Sequence, residues 1–297
     1  MQAEVHVLTR NTFAGLFLSN PNVSRVWTVE KFVDKELLEA LRNQKFELCI
    51  DLHKNWRSMQ VCWNLRVKTI NYSKQNIQKW LKVRLKSWYS FQARHIVDRY
   101  FESLKTLKVE NDGGGLEYFF DSSFEASIEM INSVRCNYIV GVLGAAHATK
   151  QIPYDLWKQI ISFRSSRKMV LLGGKDVLSL GQKLSKEFDN VIDLVGKCSL
   201  DESAFWIKHS QYVISPDTGL MHMAAAFDKP ILSIWGSTTP AFGMYPYFRQ
   251  QRFHDERQVE GLACRPCSKI GFAACPKGHF KCMLDQNADL AAFEGEL

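Results

Sequence analysis

The chain has 297 residues, of which 46% are hydrophobic and 23% charged, and its formal net charge is +7. This length is enough for two ordinary α/β domains, and the composition excludes a disordered or fibrous protein. No apolar run approaches the roughly 20 residues of a membrane-spanning helix and no signal peptide is visible, so the sequence predicts a cytoplasmic protein.

The N-terminal part alternates β-rich runs with helical patterns, which favours a parallel sheet built from strand–helix–strand units. Strands are predicted at residues 4–9, 23–29, 46–52 and 68–72, with a helix over 31–45. Between Arg66 and Lys108, bases far outnumber the two acids, Asp98 and Glu102, and aromatic residues are interleaved with them. Such a stretch suits nucleic acid or an anionic membrane surface; the alternative is a solvated helical face.

Residues 111–115 break the pattern with three glycines, and a second α/β series follows. Its predicted strands lie at 138–142, 169–172, 191–194, 212–215 and 231–235, and its predicted helices at 154–163, 180–188 and 202–209. We therefore predict an N-terminal domain over 1–134, a second domain over 135–283 and a tail over 284–297. Since ligands of doubly wound sheets bind at the carboxyl ends of the strands, the loops after these strands are the candidate sites.

The strongest local pattern follows the fourth strand of the second series. Asp217 and Thr218 are good N-cap residues, and Gly219 lets the backbone approach a ligand closely. His222 falls in the first turn of the helix that follows, where the free N–H groups and the helix dipole attract anions. The pattern predicts a diphosphate site; the alternative is an ordinary capped helix.

Three further strand-end loops carry residues suited to the same pocket. They contain Gly144 and Lys150, Gly173 and Gly174, and Ser237 and Thr238. Glycines make room for a ligand and a lysine supplies a point charge, although the spacing is not that of a P-loop. Each loop could also be a simple turn.

The C-terminal part contains a cysteine cluster, Cys264, Cys267, Cys275 and Cys282, with His279 as a substitute fourth ligand. The spacing resembles that of structural zinc sites, and the alternative is a set of packed thiols. The other four cysteines lie among apolar residues and are interpreted as core packing: Cys49, Cys62, Cys136 and Cys198.

These features together resemble a known family. The run from Asp217 to His222, continuing to Lys229-Pro230 and residues 236–240, resembles the signature of glycosyltransferase family 9, the ADP-heptose:lipopolysaccharide heptosyltransferases. Other pieces similar to the family occur in the same order along the chain, at residues 51–58, 97–100 and 171–174. The resemblance covers nearly the whole chain.

The resemblance implies a GT-B fold, in which two Rossmann-like doubly wound domains face each other across a cleft. It further implies that Asp217, Thr218, Gly219 and His222 bind a nucleotide-sugar donor, which is ADP-heptose in this family, and that Lys150 neutralises its diphosphate. No metal is then needed for catalysis, because the helix dipole and a lysine supply the positive charge. The implied reaction inverts the sugar's anomeric centre.

The acceptor implied by the resemblance is the lipopolysaccharide core at the inner membrane face, with peripheral membrane contact and with Asn55 and Arg57 as its contacts. Family members open with a strand and a loop carrying the catalytic base. We expect that strand and loop to be absent here, since the chain starts at the equivalent of the second strand, so no catalytic residue is assigned. One alternative is therefore a non-catalytic nucleotide-sugar-binding paralogue. A nucleic-acid binder is the other, and it leaves the pattern around Asp217 unexplained.

Overall fold

The computed structural model describes residues 3–134, 137–249 and 254–286. The chain divides into two compact units. Unit 1 comprises Met1–Lys74, Ile96–Asp112 and Phe119–Ser123; unit 2 comprises Gln75–His95, Gly113–Tyr118 and Phe124–Leu297. The predicted division at residue 134 assigns residues 75–95 to the first domain, whereas by their contacts they belong to unit 2.

The first part of the chain confirms the predicted alternation of strands and helices. In chain order it forms β1 (His6–Arg10), α1 (Gly15–Leu18), β2 (Arg25–Val29), α2 (Lys35–Asn43), β3 (Leu48–Asp51), α3 (Trp56–Leu65), β4 (Lys68–Asn71), α4 (Asn76–Leu85), α5 (Ile96–Leu104) and α6 (Ile128–Val134). Side-chain caps set two of the helix starts. The Asp34 carboxylate accepts from the Leu37 amide, and Asn55 and Ser58 form a reciprocal capping box at α3.

Unit 1 contains two separate two-stranded parallel sheets among the described residues, β1 with β2 and β3 with β4. Its core is small. Leu38 and Leu41 of α2 pack with Val61 of α3, and partly buried residues such as Leu8 and Trp27 lie against them. The helices therefore carry much of the burial in this unit.

Unit 2 contains the larger sheet. After α6 the chain forms β5 (Tyr138–Val142), α7 (Tyr154–Phe163), β6 (Lys168–Leu172), α8 (Leu178–Glu187), β7 (Val191–Asp193), α9 (Leu200–His209), β8 (Val213–Pro216), α10 (Gly219–Ala226), β9 (Ile231–Trp235), β10 (His254–Gln258) and α11 (Lys281–Leu284). All five predicted strands and all three predicted helices of this series are confirmed, and β10 is an additional strand.

The six strands of unit 2 are parallel and lie in the order β10-β9-β8-β5-β6-β7. This is the doubly wound order: β6 and β7 are added on one side of β5, and β8, β9 and β10 on the other, so the strand order reverses between β5 and β8. Ile139, Leu171 and Ile214 belong to its core and are fully buried. The loops after β5 and β8 therefore meet at the switch point, where ligands of such sheets bind. Among the described residues, no helix is long and apolar enough to cross a membrane.

Candidate functional site

A cavity of about 420 Å³ lies at the carboxyl ends of the unit 2 strands. It is lined by Gly144, Ala145, Ala146, Gly173, Gly174, Asp176, Thr218 and Leu220. Four of these, Gly144, Gly173, Gly174 and Thr218, are predicted pocket residues from three different loops. The fold brings these loops together because β5, β6 and β8 are neighbours in the sheet.

The N-terminus of α10 borders this cavity. Thr218 is the N-cap, with an extended backbone, and its side chain makes no capping hydrogen bond. A Cβ placed on Gly219 would meet no atom within 4 Å. Space is therefore open beside the first turn of the helix, and the free amides of a helix N-terminus bind anions.

Lys150 and Asp217 form an ion pair, with 2.8 Å between Nζ and Oδ2 and side chains only 13% and 14% exposed. The Thr238 hydroxyl donates to the same carboxylate oxygen at 3.0 Å. Asp217 thus holds the Lys150 ammonium beside the start of α10. The two side chains come from loops after β5 and β8, so the pair exists only because those strands are adjacent.

His222 lies near this ion pair and is electrically neutral at physiological pH. Burial lowers the pKa of its imidazole to about 4, although the Asp217 carboxylate favours the protonated form. A neutral imidazole offers one N–H donor. His222 can therefore donate a hydrogen bond to an anion but does not add a positive charge.

Ser237 differs from its predicted place in the pocket lining. Its side chain is 1% exposed, and its hydroxyl donates to the Thr149 hydroxyl at 2.8 Å. Thr149 Oγ1 in turn donates to the Phe272 carbonyl and accepts from the Phe272 amide. This network joins the loop after β9 to the loop after β5. Ser237 therefore connects two loops near the cavity and is not itself part of the lining.

Arg265, which no sequence pattern indicated as a functional residue, organises the loop after β9. Its guanidinium donates to the carbonyl of Gly236 at 2.6 Å and to that of Thr238 at 2.7 Å, and also to Val259 and Gln258. Burial lowers the pKa of this arginine. Its position between Cys264 and Pro266 lies within the cysteine cluster, but the spacing of the cysteines there indicates a zinc site and not a structural arginine.

The four clustered cysteines, Cys264, Cys267, Cys275 and Cys282, lie in the part of the chain that the structure describes. There, no group of three or more His, Cys, Asp or Glu residues could hold a metal ion. Cys264 Sγ lies 3.8 Å from His279 Nε2, and the Cys267 thiol donates to the Cys264 carbonyl instead. Cys282 is 3% exposed, and burial raises its pKa to about 12. The structural zinc stays a prediction.

The two predicted acceptor contacts have different roles in unit 1. Asn55 is engaged at the start of α3, where its side chain accepts from the Ser58 amide at 2.9 Å. Arg57 is partly exposed and donates to the Lys31 carbonyl at 3.2 Å. Arg57 therefore retains donors for an anionic ligand, whereas the Asn55 carbonyl oxygen is occupied.

The basic stretch is not a uniformly solvated face. Lys82 donates to the Tyr89 carbonyl at 2.9 Å, and Lys86 donates to the Pro266 carbonyl. Arg99 is 2% exposed. Several of the charges that predicted a phosphate-binding surface are thus used inside the protein.

Comparisons with known proteins agree with this geometry. The model of glycosyltransferase family 9 (heptosyltransferase) matches residues 35–268, well over half of the chain. The chain is 32% identical over 101 residues to lipopolysaccharide heptosyltransferase 1 of Salmonella typhimurium, covering 32% of each protein. It is 37% identical over 51 residues to lipooligosaccharide heptosyltransferase 2 of Haemophilus influenzae, covering 17% of this chain and 15% of that one. The aligned part thus spans at most about a third of these relatives' length.

Solved structures of the same family share the fold. A family 9 glycosyltransferase from Veillonella parvula has a TM-score of 0.63 at 20% identity, over 85% of this chain and 77% of that one. The E. coli heptosyltransferase WaaC with ADP has a TM-score of 0.61 at 18% identity, over 89% and 87%. The fold is that of the GT-B heptosyltransferases. The chain belongs to glycosyltransferase family 9, the heptosyltransferase family.

Proposed function

We propose that this chain transfers a heptose from ADP-heptose to a lipopolysaccharide core acceptor. The observation that carries the proposal is the open N-terminus of α10 at the cavity, with Lys150 held beside it by Asp217. A nucleotide-sugar donor carries a negatively charged diphosphate. The helix N-terminus attracts it through the helix dipole, and Lys150 attracts it through a full positive charge.

The chemistry that follows is stabilisation of a leaving group. When the bond between the sugar and the diphosphate breaks, negative charge develops on the departing oxygen. Backbone amides at Gly219 and the Lys150 ammonium would stabilise that charge, and the neutral His222 would add one hydrogen bond. Direct attack by the acceptor hydroxyl, whose proton passes to water as the new bond forms, inverts the anomeric centre. Because these groups provide the positive charge, the reaction requires no metal ion.

The identity of the donor and acceptor rests on relatives. The E. coli enzyme WaaC has been solved with ADP and with ADP-2-deoxy-2-fluoro heptose, which supports an adenine diphosphate sugar here. The curated relatives are named for lipopolysaccharide, which supports its core as the acceptor. Arg57 of unit 1 is the proposed contact for an acceptor phosphate or carboxylate. The comparisons give no support to a non-catalytic binding protein.

The test is isothermal titration of the protein with ADP and ADP-heptose. We expect Lys150→Met to weaken binding about 10- to 100-fold, the loss that one charge-assisted contact produces. Asp217→Asn should weaken it about tenfold by releasing Lys150. Release of ADP in the presence of a lipopolysaccharide core acceptor should be unchanged by a metal chelator.

The matched control is Lys158→Met. Lys158 also pairs with a carboxylate, Glu187, at 2.6 Å, but the pair joins α7 to α8 at the surface. Its loss should leave donor affinity unchanged. Wild-type affinity in both the Lys150 and the Asp217 variants would remove this site from donor binding. Strong inhibition by the chelator would contradict the metal-independent mechanism.

A further inference from the structure

Two thiols in unit 1 lie in direct contact. Cys49 of β3 and Cys62 of α3 have their Sγ atoms 3.2 Å apart. Cys62 is 8% exposed, and Cys49 is partly exposed. A disulfide bond is about 2.05 Å long, so these sulfur atoms need approach by only about 1 Å more to bond. The packing of α3 on β3 has already brought the two side chains together.

The two thiols are not chemically equivalent. The hydrogen bond between them is the largest influence on both: it lowers the pKa of Cys62 and raises that of Cys49. Either sulfur can be the donor in this contact, and when Cys62 is the thiolate the Cys49 thiol donates to it and stabilises its charge. A thiolate beside a protonated thiol is the arrangement in which the first sulfur attacks and the second resolves the product.

We propose that Cys49 and Cys62 form a reversible dithiol–disulfide site that reacts with two-electron oxidants of the peroxide class. The Cys62 thiolate attacks one peroxide oxygen, the O–O bond breaks, and the departing hydroxide takes a proton and leaves as water. Cys62 is then a sulfenic acid. Cys49 attacks its sulfur, the S–S bond forms, the S–O bond breaks, and hydroxide leaves with the Cys49 proton as a second water. The two thiols are oxidised and the peroxide is reduced.

The disulfide would join β3 to the second turn of α3 and close the loop between them. That loop holds Asp51, whose carboxylate accepts from the His53 and Lys54 amides and from the Ser58 hydroxyl. Oxidation would thus lock the start of α3. This inference is independent of the proposed sugar transfer, since it concerns thiols in unit 1 and its readout is covalent.

The experiment is titration of the full-length reduced protein with hydrogen peroxide, followed by alkylation, trypsin digestion and mass spectrometry. Cleavage after Lys45, Lys54, Arg57 and Arg66 places the two cysteines in peptides 46–54 and 58–66. We expect these peptides to be joined, with a mass about 2 Da below their sum, and to separate on reduction. Of the eight thiols, these two should be lost first.

Two variants sharpen the result. Cys62→Ser should abolish the cross-link and slow oxidation of Cys49 at least about tenfold, because the attacking thiolate is gone. Cys198→Ser is the matched control and should leave both unchanged, since burial raises the pKa of Cys198 to about 11. If the Cys62 variant does not fold, the order in which the thiols of the wild-type protein are oxidised still tests the proposal. The proposal is overturned if 46–54 and 58–66 stay separate after other thiols are oxidised, or if Cys49 reacts equally fast without Cys62.

Discussion

At the residue scale, the charged groups Lys150, Asp217 and Arg265 are paired within the protein. Lys150 is bound to Asp217, whose carboxylate also accepts from Thr238, and Arg265 is bound to backbone carbonyls. Removing one member of such a low-exposure pair leaves an uncompensated charge, which costs more than the net value of the pair. The positive charge is thus positioned before the donor arrives, and little reorganisation is needed on binding.

Histidine burial predicts a loss of stability in mild acid. His254 of β10 lies 2.8 Å from the Ser233 hydroxyl, and burial lowers its pKa to about 4 from an unfolded value of 6.5. Between these values the unfolded state binds one more proton, so stability falls as pH falls, by about 1.4 kcal/mol per pH unit. His222 acts in the same direction. We expect His254→Gln to flatten the stability curve between pH 6.5 and 5, measured by urea unfolding.

The carboxyl group of Glu256 has the opposite effect on stability as the pH falls. Burial and then Asp255 raise the pKa of Glu256 to about 7, so its contribution is present at low pH and lost as pH rises from 4.5 to 7. His254→Gln removes a 3.7 Å contact between His254 Nδ1 and Glu256 Oε1 but keeps burial and Asp255, the two causes of the raised pKa of Glu256, so the slope of the variant should be smaller or reversed. Parallel curves for the variant and the wild type would show that His254 is protonated equally in both states.

At the scale of elements, α10 and the loop after β9 contain glycines with opposite surroundings. A Cβ at Gly219 has open space around it, whereas one at Gly236 would lie 2.6 Å from the Thr149 carbonyl oxygen and 2.7 Å from a Met283 side-chain atom. The first glycine leaves room for something outside the protein. The second is required by the packing of the protein itself.

This contrast gives a paired prediction. Gly219→Ala should change the free energy of unfolding by less than about 0.5 kcal/mol, since alanine is favoured in a helix, while weakening ADP-heptose binding about tenfold. Gly236→Ala should cost about 1–3 kcal/mol of stability, the usual cost of overpacking. Thermal unfolding and calorimetric titration of both variants measure the two effects. Unchanged donor affinity in Gly219→Ala would mean that the diphosphate does not approach the helix start.

The strand β10 shows where local patterns fail. Its sequence, His254 to Gln258, is polar throughout and has no β-branched residue, so no strand is predicted from it. It forms because the edge of the sheet at β9 offers unpaired backbone groups over Ile231–Trp235. Such a strand forms because a hydrogen-bonding partner that is distant in sequence is available. The β-propensity of its own side chains therefore does not predict it.

At the scale of the whole molecule, the two units differ in the size of the sheets that hydrogen-bond their backbones. Among the described residues, unit 2 has six strands in one sheet with fully buried residues, whereas unit 1 has two pairs of strands and leaves Ile50 of β3 42% exposed. Two-stranded sheets are marginal by themselves. The units are therefore expected to open with different free energies.

Hydrogen exchange tests this expectation. Amides of β5 and β8 should exchange at least about 100-fold more slowly than amides of β3 and β2, a difference of about 2.7 kcal/mol in opening free energy. Saturating ADP should increase protection around α10 and leave β2 unchanged, because a ligand stabilises the state that binds it. Equal protection in the two units would show that they unfold together.

The sequence by itself determined the alternation of strands and helices and the strand-end loops, because apolar periodicity and turn chemistry are local properties. It also marked Lys150, Asp217, Thr218 and Gly219 in those loops as candidates for donor binding. Only the tertiary structure decided which loops meet. The order of strands puts β5 beside β8, and this joins Lys150 to Asp217 and turns Ser237 inward. The contact between Cys49 and Cys62 and the anchoring of the β9 loop by Arg265 were decided in the same way, since packing brings together residues that no local pattern relates.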